Sequence, residues 1–67
     1  MNLIYITPAD DPESAILTAM DIYVASGMQP KIISDGITSI TFNTNHAIAV
    51  CNGYMNIDEY VEKHKLD

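Results

Sequence analysis

The chain has 67 residues, nine acids against three lysines and no arginine, a formal net charge of −6, and 48% apolar residues. That length holds one domain, residues 1–67, since smaller pieces would bury too little to fold, and the apolar content is too high for a disordered chain. The sign of the charge opposes direct binding to nucleic acid, whose phosphates are held by lysine and arginine, and to anionic membrane surfaces.

No stretch reaches the ~20 apolar residues of a membrane-spanning helix. The first eight residues lack the basic region and the apolar length of a signal peptide, so the expected location is the cytoplasm. Cys51 is the single cysteine, which excludes an internal disulfide, and no Cys/His grouping has zinc spacing, so neither a metal nor a cofactor is expected. A core of this size supplies only about 3–5 kcal/mol. Self-association is the remaining expected source of stability.

Leu3 to Ile6, short, β-prone and closed by Thr7-Pro8, predicts a buried strand. Asp11-Pro12 opens a helix, because Asp accepts orphan amide hydrogens and Pro suits the first helical position. That helix is expected over Pro12 to Ser26, stopped by Gly27. Lys31 to Ser34 reads as a second strand, and Asp35-Gly36 as a two-residue hairpin turn with positive φ at both positions. Thr38, Ile40 and Phe42 alternate with Ser39 and Thr41 as a third strand. After Thr44-Asn45, His46 to Cys51 alternates again and predicts a fourth strand, completing a meander. Asn52-Gly53 makes a turn, and Asn56 with Glu59 three residues on resembles a capping box opening a last helix, Ile57 to about Leu66.

The expected fold is therefore α+β in the order β-α-β-β-β-α, a two-layer domain with a small, mainly antiparallel sheet and both helices on one face. A right-handed crossover over the first helix would join the first strand to the meander.

At about 100° per residue, Ser14, Thr18, Asp21 and Ala25 form a narrow polar side on the first helix. Residues Ala15 to Val24 otherwise cover an apolar arc of roughly 220°, wider than the stripe one sheet buries. The last helix covers part of it; the remainder predicts a homodimer seam or partner groove along Ala15, Leu17, Ala19, Ile22 and Val24. On the last helix Ile57, Tyr60, Val61 and His64 share a stripe, which makes His64 a packed edge histidine.

Six of the nine acids form two clusters, Asp10, Asp11 and Glu13, then Asp58, Glu59 and Glu62, and residues 1–30 hold four acids and no base. Helix N-termini favour acids by about 0.3–1 kcal/mol, which covers most of both clusters but leaves the missing cations unexplained. A negative surface steers positive partners. Asp10, Asp11, Glu13, Asp21, Asp58, Glu59 and Glu62 are accordingly the candidate contacts to a basic protein, including one that ordinarily holds DNA or RNA.

No phosphate loop or nucleophile motif is present, and the expected function is non-enzymatic: an inhibitor or modulator, of a size that viruses and mobile elements encode. Two alternatives stand beside it, a homo-oligomeric structural subunit and a ligand or catalytic site completed across a dimer by His46, His64, Cys51 or tyrosine. Were residues 46–51 one strand, His46 and Cys51 would point to opposite faces, excluding a local dyad. Cys51 reads as a buried or half-buried thiol, and Tyr54, after the Asn52-Gly53 turn, as a surface contact.

Overall fold

The computed structural model describes residues 5–66. The fold is α+β, with three helices and a three-stranded antiparallel sheet: α1 Pro12–Ser26, β1 Ile32–Ser34, β2 Ser39–Thr41, α2 Thr44–Cys51, α3 Ile57–His64 and β3 Lys65–Leu66, with strand order β1-β2-β3. Part of the expected first strand lies outside the described residues, as does any crossover built on it; its described part, Tyr5 and Ile6, is irregular.

α1 begins and ends where its signals place it. The Asp11 carboxylate accepts the Ser14 N–H at 2.8 Å, Pro12 occupies the first turn, and Gly27, at φ 71°, donates its N–H to the Tyr23 carbonyl at 2.8 Å. Only a residue tolerant of the left-handed region closes a helix this way without strain.

β1 and β2 form the expected hairpin, pairing Ile32 with Thr41, Ile33 with Ile40 and Ser34 with Ser39. The turn differs from the two-residue form. Four residues, 35–38, connect the strands, and only Gly36 has positive φ, at 93°. Asp35 acts as an acceptor instead of a left-handed residue: one carboxylate oxygen takes the N–H groups of Thr38 at 2.6 Å and Ile37 at 2.8 Å, while the Ser34 hydroxyl oxygen takes that of Gly36 at 3.0 Å. Asp side chains satisfy their own turn in this manner.

The segment expected as the fourth strand is the helix α2. Asn43 caps it, its side-chain oxygen accepting the His46 N–H at 2.9 Å, and Ala47 and Ala49 favour the helix. A short apolar run cannot be told from a buried strand by alternation alone. The third strand of the sheet comes instead from the chain end: α3 stops at His64, and Lys65 and Leu66 extend to pair with Ile40 and Ser39. At the start of α3 the Asn56 side-chain oxygen accepts the Asp58 N–H at 2.7 Å.

Ala15, Ile16, Ala19, Ile33, Ile40, Ala47 and Tyr60 are fully buried and form one cluster. α1 packs against β1, α2 and α3, so two helices take up much of its wide apolar arc. Ala15 and Ala19, expected at an oligomer seam, lie within this core. Their small side chains let the neighbouring elements approach closely.

Tyr60 is the largest buried side chain. Its hydroxyl donates to the Thr41 carbonyl at 2.9 Å and accepts the Asn43 N–H at 3.0 Å. Burial pushes the phenol above its ordinary pKa, with the Asn43 N–H opposing, so it remains a donor at neutral pH. Tyr60→Phe keeps the ring and strands both backbone groups, and should lower unfolding free energy by about 1–3 kcal/mol in denaturant titration, with faster hydrogen exchange at Asn43. A wild-type midpoint and exchange rate would refute this role.

The amides of Thr38 and then Ile37 hold the Asp35 carboxyl below its usual 3.8, desolvation opposing them. Its stabilising effect is therefore present above the unfolded value and lost as pH falls through the lower folded one. Asp35→Asn should flatten the acid limb of the stability curve below about pH 4; an unaltered limb would show that these bonds do not matter to folding.

Candidate functional site

All seven acids expected to meet a partner, Asp10, Asp11, Glu13, Asp21, Asp58, Glu59 and Glu62, are exposed. Among the described residues one ion pair forms, from Glu62 in the last turn of α3 to Lys65 at the start of β3, at 3.3 Å. Several of the others have local work in folding. Asp11 caps α1, Glu13 lies in its first turn, and Asp58 and Glu59 lie in the first turn of α3, where the helix dipole favours negative charge. Asp21 has none of these explanations. It sits in the third turn of α1, clear of the N-terminal dipole, with no ion-pair partner among the described residues, on a helix whose last turn holds no base.

The polar side read from sequence, Ser14, Thr18, Asp21 and Ala25, is exposed throughout, and the exposed arc of α1 runs beyond it to Leu17, Val24 and Glu13. Core residues Ala15, Ile16 and Ala19 share one side of the helix, and at about 100° per residue the direction opposite them falls between Leu17 and Asp21, with Val24 beside Leu17. Leu17 is 43% exposed and Val24 75%. Glu13 and Asp21 flank this pair within about 40°. Ile22, placed at the same seam by sequence, is half-buried. Residues assigned separately to a charged contact and an apolar contact thus share one ridge.

The second concentration of chemical groups is a pair of histidines that sequence spacing could not bring together. His46 Nδ1 lies 2.7 Å from His64 Nε2, with ring centroids 4.9 Å apart, and the His64 ring packs on Tyr60 at 4.6 Å. His64 is half-buried on the apolar stripe of α3, as its spacing predicts. The Thr41 hydroxyl donates to the His64 carbonyl at 3.1 Å. One imidazole N–H donates and the other nitrogen accepts, so the contact links α2 to α3 and uses one nitrogen of each ring.

Cys51 does not join them. It is exposed, in contrast to the buried or half-buried thiol expected, and on α2 it lies about 140° around the helix from His46. The two remain apart, now for helical and not strand geometry. Among the described residues no three His, Cys, Asp or Glu side chains converge in a manner that would hold a metal ion. Tyr54 stands 86% exposed beyond α2. A shallow cleft of about 490 Å³ lies where residues 29–32 face Thr41, Phe42 and Leu66. Its one charged group is Lys31, and neither the acids nor the histidines line it.

The chain matches no protein-family model, no curated protein and no solved structure at a significant level. No helix among the described residues is long and apolar enough to cross a membrane.

Burial first, then the charges of His46 and Lys63, hold the His64 imidazole below its usual 6.5. A neutral pair can bond; a doubly protonated pair has donors only and repels. Because the folded pKa is depressed, the stabilisation is present above the unfolded value and lost as pH falls through the folded one. Between about pH 7.5 and about pH 5 the melting temperature should fall more in the wild type than in His64→Gln. Parallel curves for the two proteins would remove the histidine pair from the pH response.

Proposed function

We propose that this chain is a non-enzymatic interaction module that binds a basic protein surface and modulates it, meeting its partner in the cytoplasm. The observation that carries this reading is the set of seven exposed carboxylates with one intramolecular ion pair among the described residues. Ordinary surfaces intersperse both signs. An unbalanced one raises encounter rates with cationic partners, most strongly at low salt. Nucleic-acid-binding proteins are a natural partner class, since carboxylates can occupy the places of phosphates against their lysines and arginines.

The alternative, a ligand or catalytic site completed across a dimer interface by His46, His64 or Cys51, draws on the His46–His64 contact alone. There each ring spends a nitrogen on the other, and the thiol lies elsewhere on α2.

The triple variant Asp10→Asn, Asp11→Asn, Glu13→Gln tests the acidic surface without removing the cap, because Asn caps a helix about as well as Asp. Tagged wild-type chain incubated with nuclease-treated lysate should retain a basic protein at low salt and release it at high salt. The variant should retain less, with a shallower salt dependence. Equal capture by the two proteins, or capture indifferent to salt, would overturn the reading.

A further inference from the structure

The exposed ridge of α1 joins two features that folding leaves unexplained: the aliphatic pair Leu17 and Val24, and Asp21, which lies away from the helix termini and makes no ion pair among the described residues. We propose that this ridge docks a basic amphipathic helix of a partner protein, apolar along one stripe and flanked by lysine or arginine. The proposal rests on the acidic interaction reading and assigns its contact face.

Spacing and charge select this occupant. Leu17 and Val24 are seven residues apart, about 10.5 Å along the axis, which matches an i, i+7 repeat on a facing helix. Helix-on-helix recognition uses such apolar anchors for affinity and flanking charges for choice of partner. Glu13 and Asp21, on either side of the ridge, supply the flanking charges, both negative. Ser14 and Thr18 lie on the same exposed side and offer small hydroxyls that do not obstruct approach.

A second copy of the chain is the poorer occupant. α1 contains Glu13 and Asp21 and no Lys, Arg or His. Two copies crossing antiparallel about Leu17 would set Glu13 of each against Asp21 of the other, and any other pairing of the two ridges still offers acids alone. Like charges placed across an interface suppress that pairing. A purely polar basic loop would satisfy the carboxylates and leave Leu17 and Val24 in water.

The test uses the full chain, labelled with ¹⁵N, and a synthetic peptide of roughly 18 leucines and lysines, long enough to hold a helix, with leucine along a single stripe. A scrambled peptide of identical composition, lacking the stripe, is the control. The striped peptide should shift the amides of Glu13, Leu17, Asp21 and Val24 in a saturable manner and bind more tightly than the control. The double variant Leu17→Ser, Val24→Ser should weaken it about tenfold, and Asp21→Asn should weaken it and reduce its salt dependence. If the serine variant loses its fold, Leu17→Ala with Val24→Ala retains helix propensity and serves in its place.

Equal binding of both peptides, unaffected by the aliphatic substitutions, would overturn the docking ridge while leaving the acidic surface standing. So would shifts confined to α3 or to the cleft beside Lys31. Absence of binding by either peptide would overturn both. A dimer seen by sedimentation and abolished by the double variant would assign the ridge to a second copy and refute the proposal.

Discussion

The Tyr60 hydroxyl is the constraint on which the rest of this fold depends. It binds the carbonyl of Thr41, the last residue of β2, and the N–H of Asn43, the residue that caps α2. One side chain from α3 therefore fixes the two-residue connection where strand becomes helix. The Thr41 hydroxyl returns a bond to the His64 carbonyl, the last residue of α3, just where the chain turns back to pair as β3 with β2. These contacts tie α3 to β2 and the start of α2, 17 to 19 residues away in sequence at the Tyr60 hydroxyl.

Polar pins of this kind matter because the core is lean. Three of its seven fully buried residues are alanines, each contributing little apolar area, and Cys51 is exposed and free. A buried hydrogen bond adds only about 0.5–1.5 kcal/mol net, but breaking one costs more because the stranded group stays desolvated. In a domain with a core this small, that asymmetry fixes where strand ends and helix begins. The histidine contact extends the same arrangement to the facing sides of α2 and α3, and makes it sensitive to protonation.

What was legible in the sequence follows the range of the interactions. α1 could be read at both ends because its stop and start signals, Asp11-Pro12 and Gly27, act within a few residues. The hairpin and the start of α3 were legible for the same reason. The turn at Asp35 was misread in detail, since Asp is found in left-handed turns and also in turns it builds with its own carboxylate. α2 was misread because the six residues from His46 to Cys51 fit either period, and what decides is the Asn43 cap together with packing of Ala47 in the core. β3 left no trace: two residues become a strand only because β2 has a free edge beside them. The exposed acids were visible from composition, whereas the His46–His64 and Tyr60 contacts span 17 to 19 residues and needed the fold.

The face of α1 illustrates the same limit and has the largest consequence for function. A hydrophobicity pattern places large aliphatic residues inward, and on that rule Leu17 and Val24 belong to the buried arc. The core takes Ile16 from this helix but otherwise Ala15 and Ala19, whose small side chains let β1, α2 and α3 approach that side. Leu17 and Val24 are left on the exposed arc, 43% and 75% exposed. Asp21 flanks them with no ion-pair partner among the described residues, so the ridge is unfavourable twice over for the isolated chain: exposed apolar area, and a carboxylate that no local contact offsets. A complementary surface, apolar along its centre and positive at its margins, would relieve both at once.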